Sequence, residues 1–280
     1  MRTQAEKGAA FRALHQQTGS FVIPNPWDVG SARILEGVGF QALATTSSGF
    51  AIGVGLVDGQ PGRDAVIAHA AALSAATDLP VSGDLENGFG ELPEHVAETI
   101  RRAGAAGLVG GSIEDFTGDP GAPLYEIERA ADRIRAAAEA AKAFAFPFTV
   151  TARAENFFRG RPDLADTIRR LQAYQEAGAD VLYAPSLPTA EDIRTVVGAV
   201  DRPVNVLAGS PRGMRLSVAE LAALGVRRIS VGGHLASVAY GALLHAAREL
   251  HDAGTFGFLD ETARARDLVS LLKRPRDGGR

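Results

Sequence analysis

The chain has 280 residues, 46% of them hydrophobic and 22% charged, with a formal net charge of -4. That length suits two average domains or one barrel-sized domain, and the composition is ordinary for a soluble globular protein. The absence of cysteine excludes disulfides, thiolate metal sites and cysteine nucleophiles, and no basic stripe or long uncharged apolar run points to nucleic acid or a membrane span. The lysines are Lys7, Lys142 and Lys273, and none falls at a predicted strand end, which argues against Schiff-base chemistry. The opening MRTQAEKGAAFRALHQQ lacks the apolar core and small-residue cleavage site of a signal peptide, so a cytoplasmic protein is expected.

After a short helical lead-in, FVIPN (21–25) predicts a strand, and 28–36 a helix opened by Asp28 and closed by Gly37. QALATT (41–46) predicts a second strand, followed by a glycine-rich loop, SSGFAIGVGLVDGQPG, and a helix over 63–77. VSGDL (81–85) is the third strand; a helix over 93–103 follows, with Pro93 suited to a first helical turn. GLVGGSIED (107–115) is the fourth strand, and the loop FTGDPGAPL separates it from an alanine-rich helix ending near Ala143. The rhythm continues with strands at 147–153, 180–185, 202–208 and 227–233, and helices at 163–177, 190–199, 217–224 and 235–251.

Eight strand-helix units with apolar strands predict a closed (β/α)8 barrel, and a doubly wound open sheet is the alternative architecture. The barrel domain would span 1–254, and 255–280 would form a helical extension. The apolar face of that extra helix, within GFLDETARARDLVSLLK, must pack on its own barrel or on a neighbour's, and the closing RPRDGGR reads as frayed.

In such a barrel the active site lies at the C-terminal ends of the strands. Those ends carry Thr45, Thr46 and Ser47, then Asp84 and Glu86, Glu114 and Asp115, Arg153 and Glu155, Asn205, and the Gly232-Gly233-His234 turn. In DLENGFG, strand alternation would put Asp84 and Glu86 on one face, where two carboxylates repel unless a divalent cation, an arginine or a shared proton lies between them. With Asp58 on the preceding loop, this oxygen-rich, histidine-poor cluster suits magnesium or manganese better than zinc or copper, with one or two direct carboxylates and the others acting through water. Any single acid here could equally cap a helix or pair with an arginine. Glu155, in AENFFRG, reads as part of an ordinary surface loop, and Asp115 as a residue that orients Glu114 or caps its loop. His69, His95 and His234 read as packing residues. Arg153 can grip a carboxylate with two prongs or pair with Glu114 or Glu86, and the SSGF turn offers N–H groups and hydroxyls to an anionic oxygen.

The segments NPWDVGSARILEGVGFQALATTSSG, DLENGFG, SIED, TARAENF and PVNVL, in this order and spacing, resemble the isocitrate lyase/phosphoenolpyruvate mutase superfamily across nearly the whole chain. The resemblance implies a (β/α)8 barrel, magnesium, and small 2-oxo or 2-hydroxy acids whose C–C or P–C bond is made or broken through an enolate-like intermediate. It also implies homo-oligomers, dimers or tetramers, that exchange a C-terminal helix. By resemblance, Asp84 is the direct metal ligand, and Asp58, Glu86 and Glu114 are water-mediated ligands, Glu86 replacing a common aspartate. Thr46, Ser47, Ser48 and Gly49 would form the substrate carboxylate loop, Arg153 would grip the substrate, and Asn205 would contact it.

One departure shapes the expected reaction. Isocitrate and methylisocitrate lyases carry a KxCGH-type sequence after strand four, where this chain has FTGDPGAPLYE, without lysine, cysteine or histidine. Retro-aldol cleavage needs a positioned acid and base, so isocitrate lyase activity is not expected. Decarboxylation of a β-keto acid needs mainly an electron sink. The expectation is a magnesium-dependent lyase cleaving a C–C bond, oxaloacetate decarboxylase-like, with Arg153 and Glu114 catalytic. The alternatives are a phosphonomutase or phosphonopyruvate hydrolase, and a metal-binding relative without turnover.

Overall fold

A computed structural model describes residues 1–209, 215–263 and 265–273; the closing RPRDGGR lies outside them. The described strands are β1 (Phe21–Ile23), β2 (Leu43–Ala44), β3 (Val81–Asp84), β4 (Gly110–Glu114), β5 (Thr149–Arg153), β6 (Val181–Tyr183), β7 (Val204–Leu207) and β8 (Arg228–Ser230). All their pairings are parallel, in the order β1-β8-β7-β6-β5-β4-β3-β2. Helices alternate with them, giving a TIM-type (β/α)8 barrel.

The seam between β1 and β2 shows why the first two strands are shorter than the sequence predicts. Pro24 has no N–H for the ladder. Its carbonyl accepts from the Ala44 N–H at 3.1 Å, and the next residue takes over with its side chain. Asn25 donates to the Thr45 carbonyl at 2.9 Å, while its Oδ1 accepts the Val231 and Gly232 N–H groups at 3.0 and 2.9 Å. One buried amide thus ties the ends of β1, β2 and β8 together.

The helices are α1 (Gln4–Gln16), α2 (Val29–Val38), α3 (Ser47–Gly53), α4 (Arg63–Ala76), α5 (Pro93–Ala105) and α6 (Ile127–Lys142), followed by α7 (Leu164–Glu176), α8 (Ala190–Gly198), α9 (Val218–Ala223), α10 (His234–Arg248) and α11 (Ala265–Leu272). Helix α3 corrects the reading of 47–62 as loop throughout. Thr46 caps it, accepting the Gly49 N–H at 3.3 Å. Its glycine is there for close packing: a Cβ on Gly49 would lie 2.7 Å from Thr46 Cγ2, 3.0 Å from Trp27 Cβ and 3.2 Å from Ala236 Cβ. Intrinsic propensity argues against a helix with two glycines, and tertiary contact overrides it.

Helix α10 runs on through a π-helical turn, Glu249–Ala253, and Gly254 ends it in the left-handed region at φ 65. In this helix Ala236 is the buried residue, whereas Val238, Leu243 and Leu244 are 70%, 63% and 50% exposed. Helix α11 lies against α2 of its own chain. Arg33 donates to the Leu272 carbonyl, and a Cβ on Gly37 would come within 3.0 Å of Leu271. No described helix is long and apolar enough to cross a membrane.

Candidate active site

β3 ends at Asp84, and the chain then turns sharply. Leu85 is fully buried, and Glu86 and Phe89 adopt left-handed backbone at φ 48 and φ 57. Asp84 and Glu86 are therefore brought near each other by a turn and not by strand alternation. Arg133 of α6, 1% exposed, fixes that turn: it donates to the carbonyls of Gly90 at 2.8 Å, of Glu91 and of Asn87, and lies 4.4 Å over the Tyr125 ring. Three carbonyl dipoles thus serve the Nη groups of a buried guanidinium that has no carboxylate among these contacts, while its Nε is buried without a hydrogen-bond partner. The Glu86 carbonyl in turn accepts the Glu114 N–H at 2.9 Å, setting the end of β4.

The TTSSG segment is coupled to Asp84. Thr45 Oγ1 accepts the Asp84 N–H at 2.8 Å, and Asp84 Oδ2 accepts the Ser47 N–H at 3.0 Å. Thr46 and Ser48 share a hydroxyl contact at 3.2 Å. Two of the N–H groups that the sequence suggested for an anionic ligand, those of Ser47 and Gly49, are engaged inside the protein. The Ser48 hydroxyl faces Gly233 of the turn after β8, where a Cβ would be 2.4 Å away.

Beside this stands a closed ring of alternating charge. Glu155 accepts from Arg153 Nε at 2.5 Å and from Arg159 Nε at 2.8 Å. Glu114 meets Arg153 Nη1 and Arg159 Nη2, both at 3.3 Å. Arg153 Nη1 also lies 4.0 Å from Asp84. Glu155 is 0% exposed, so the reading of AENFFRG as an ordinary surface loop is corrected: the segment folds inward because its carboxylate has two guanidinium partners. Burial opposes charge on Arg153, but Glu155 and Glu114 outweigh it and hold the group firmly protonated. Burial, then the neighbouring Glu155, pushes the Glu114 carboxyl well above the usual range despite Arg153.

Asp115 points away from the mouth. Its Oδ2 accepts from the Tyr174 hydroxyl at 2.6 Å and from Arg170 at 3.1 Å, and its Oδ1 accepts the Glu155 N–H at 2.8 Å. It anchors the loop that carries Glu155. Asn205 is 1% exposed; its Nδ2 donates to Ser230 at 3.0 Å, and its Oδ1 accepts from Arg228 Nε at 2.9 Å. It forms part of the barrel floor, in register with Tyr183, which is itself in register with Arg153. His69 stacks on Phe50 at 4.0 Å and bonds to the Trp27 carbonyl, a packing role.

Among the described residues no three acids or histidines converge closely enough to chelate an ion by themselves. Yet Glu86 Oε1 is buried without a hydrogen-bond partner. Burial, then Asp84 and the exposed Asp58, pushes the Glu86 carboxyl up to about 8. Such concentrated negative potential fits a divalent cation that keeps several of its waters, and does not fit a closed protein cage. Sequence reasoning missed Arg159 and Arg133; the Arg-x-Glu-x-x-x-Arg spacing of 153, 155 and 159 was the available signal for the first, and nothing local marks the second.

A (β/α)8 barrel with acids and arginines at the C-terminal ends of β3, β4 and β5 is the architecture of an enzyme handling small anions. The sequence profile of the phosphoenolpyruvate phosphomutase family matches residues 11–251. The chain belongs to that family, within the isocitrate lyase/phosphoenolpyruvate mutase superfamily. It is 34% identical over 245 residues to an uncharacterized protein of Mycobacterium tuberculosis (strain CDC 1551 / Oshkosh), covering 87% of this chain and 89% of the other. It is 32% identical over 208 residues to the 2-methylisocitrate lyase of Escherichia coli (strain K12), covering 70% and 68%. A solved structure from Burkholderia cenocepacia J2315, described provisionally as a lyase/mutase, superposes with a TM-score of 0.94 at 55% identity over 97% of both chains. Its relatives are thus C–C lyases and mutases.

Proposed function

We propose that this protein is a magnesium-dependent lyase that cleaves a C–C bond of a small 2-oxo or 2-hydroxy carboxylate through an enolate-like intermediate, with oxaloacetate decarboxylation as the concrete reaction. The observation that carries this reading is the juxtaposition of an acid group, Asp84 with Glu86, whose Oε1 is buried without a hydrogen-bond partner, and the Arg153–Glu114 edge of the charge ring. Asp84 would hold the ion directly, and Asp58, Glu86 and Glu114 would hold its waters; manganese is an acceptable substitute. When bound, the metal supplies Lewis acidity at the substrate's 2-oxo oxygen.

The chain's own residues do the rest. Asp84 is held in place by the Ser47 N–H and by Thr45. Arg153 grips the substrate carboxylate, Glu155 fixing its Nε edge so that the Nη edge faces the ligand. The Thr46, Ser47, Ser48 and Gly49 turn lines the side nearest β2, and Asn205 supports the floor. Glu114, whose carboxyl is held above the usual range first by burial, is placed to carry a proton between water and the reacting carbon. The loop after β4 folds as a short hairpin, with an antiparallel bridge between Phe116 and Leu124, and offers no lysine, cysteine or histidine for that task. In this reading 1–254 is the catalytic barrel and 255–280 its extension, and the protein works in the cytoplasm.

The test is a panel of 2-oxo and 2-hydroxy acids assayed with and without magnesium. Oxaloacetate is expected to yield pyruvate faster than in a protein-free control at the same magnesium concentration, and that excess rate is expected to vanish when the metal is removed; no excess turnover of either oxaloacetate or phosphonopyruvate would overturn the reading. Membership in the phosphomutase family supports a second reading, P–C bond chemistry, which phosphorus NMR on phosphonopyruvate would reveal by a moved signal. The replaced β4 loop supports a third, a metal-binding relative without turnover, distinguished by magnesium binding with an inactive panel.

We also propose a homo-oligomer, dimer or tetramer, joined through the exposed apolar residues of α10, in which the C-terminal helix α11 would exchange its seat on α2 of its own chain for the same seat on a neighbour. Val238, Leu243 and Leu244 are large apolar side chains of α10 that this chain leaves mostly in water, and a neighbouring subunit would cover them. Light scattering after gel filtration is expected to give a multiple of the chain mass, and Leu243→Asp with Leu244→Asp to reduce it. A monomer at micromolar concentration would refute the assembly.

A further inference from the structure

The charge ring has unequal sides. Glu155, 0% exposed, holds Arg153 and Arg159 by their Nε atoms at 2.5 and 2.8 Å, whereas Glu114 touches their Nη atoms at 3.3 Å. The Nε contacts are short and charge-assisted; the Nη contacts are long enough to be exchanged for another anion. Arg159 is the outer member, its side chain 26% exposed against 13% for Arg153. Its guanidinium lies 3.5 Å over the Phe116 ring, contributed by the loop after β4, and 5.2 Å from Phe158. A guanidinium stacked on one face and tied at Nε keeps a fixed orientation, so its remaining N–H fork is preorganised for a carboxylate or phosphonate. The two guanidinia share the buried Glu155 carboxylate through their Nε atoms, which leaves their Nη groups on the Glu114 side, where the contacts are longer. The sequence FTGDPGAPL brings no other cation to that side of the mouth.

We propose that Arg159 is a second substrate-anion residue, selecting acids that carry a further anionic group beyond the one gripped by Arg153. The proposal rests on the reading of this mouth as a 2-oxo or 2-hydroxy acid site and assigns the second anionic group of such an acid to Arg159. The phenyl ring of Phe116 acts as the platform that sets the reach of Arg159, so the loop after β4 contributes to specificity through packing.

Lactate and malate test this directly, since malate is lactate with a carboxylate in place of a methyl hydrogen. With magnesium present, calorimetric titration of the wild-type protein is expected to show malate binding about tenfold or more tighter than lactate of the same configuration. Arg159→Met is expected to cost malate about tenfold or more while leaving lactate within about twofold, and Arg159→Lys to retain part of the preference. A purely structural Arg159 would weaken both ligands together, and that result overturns the proposal, as does an undiminished malate preference in Arg159→Met. Equal binding of the two acids by the wild type overturns the proposal while sparing the functional reading. Binding of neither acid removes the functional reading and the proposal with it. Thermal melts of both variants, with Arg159→Lys preserving the charge beside Glu155, separate loss of fold from loss of the contact.

Discussion

Asp84→Ala is expected to abolish magnesium-dependent turnover, lowering kcat/KM by about a thousandfold or more, since it removes the carboxylate that would hold the ion. Asp84 is the acid most firmly aimed at the mouth, with one oxygen fixed by the Ser47 N–H at 3.0 Å and the other 4.0 Å from Arg153. Glu86 should behave differently. Its carboxyl lies at about 8 against an ordinary 4.5, chiefly through burial and then Asp84 and Asp58. A carboxyl with a raised folded-state pKa binds its proton more tightly in the folded protein, so its contribution to stability is complete below the unfolded value and is lost as pH rises through about 8. Metal-free protein should therefore melt at progressively lower temperature over that window, and Glu86→Gln should flatten the decline. Magnesium competes with the same proton, so its affinity should rise over the same interval. Melting curves against pH, with and without magnesium, check both. Magnesium-dependent turnover surviving in Asp84→Ala would place the ion elsewhere.

Asp115→Ala is expected to cost about 3 kcal/mol of unfolding free energy, because one buried carboxylate serves three donors. The Tyr174 hydroxyl at 2.6 Å, Arg170 at 3.1 Å and the Glu155 N–H at 2.8 Å would all lose it. Arg170 keeps Asp166 at 2.6 Å and the Tyr125 carbonyl at 2.7 Å, which moderates the loss. Activity should fall too, since the Glu155 backbone is the anchor from which both guanidinia are aimed. Urea titration gives the stability directly, with an unchanged denaturant slope expected for a purely local loss. A shift below about 1 kcal/mol would show that the surrounding groups find other partners.

Arg133 reaches Asn87 and Gly90 of DLENGFG, and Glu91 just beyond it, from 42 to 46 positions further along the chain. The two left-handed residues of that turn, Glu86 and Phe89, are held by a contact that no local pattern announces. The same is true of Glu155. Its neighbours in AENFFRG suggest a solvent-facing loop, yet its N–H reaches Asp115, 40 positions earlier, and its side chain closes a ring with residues of β4 and β5. Helix α3 was invisible for another reason: its glycines lower helical propensity, and their value lies in contacts with Trp27 and Ala236 from distant segments.

By itself the sequence determined the barrel and the rim on which the chemistry sits. Strand-helix alternation is a local signal, repeated eight times, and parallel strands place all their C-terminal ends on one face, so Asp84, Glu114 and Arg153 were bound to be neighbours of a single mouth. Only the tertiary structure decided how those side chains divide the work. It turned the pair in DLENGFG from strand neighbours into turn neighbours, assigned Asp115 to the scaffold, buried Glu155, and brought Arg159 into the site on the face of Phe116. Each of these rests on contacts between residues that the fold alone makes adjacent, and on burial, which is a property of the packed molecule and of no short stretch of chain.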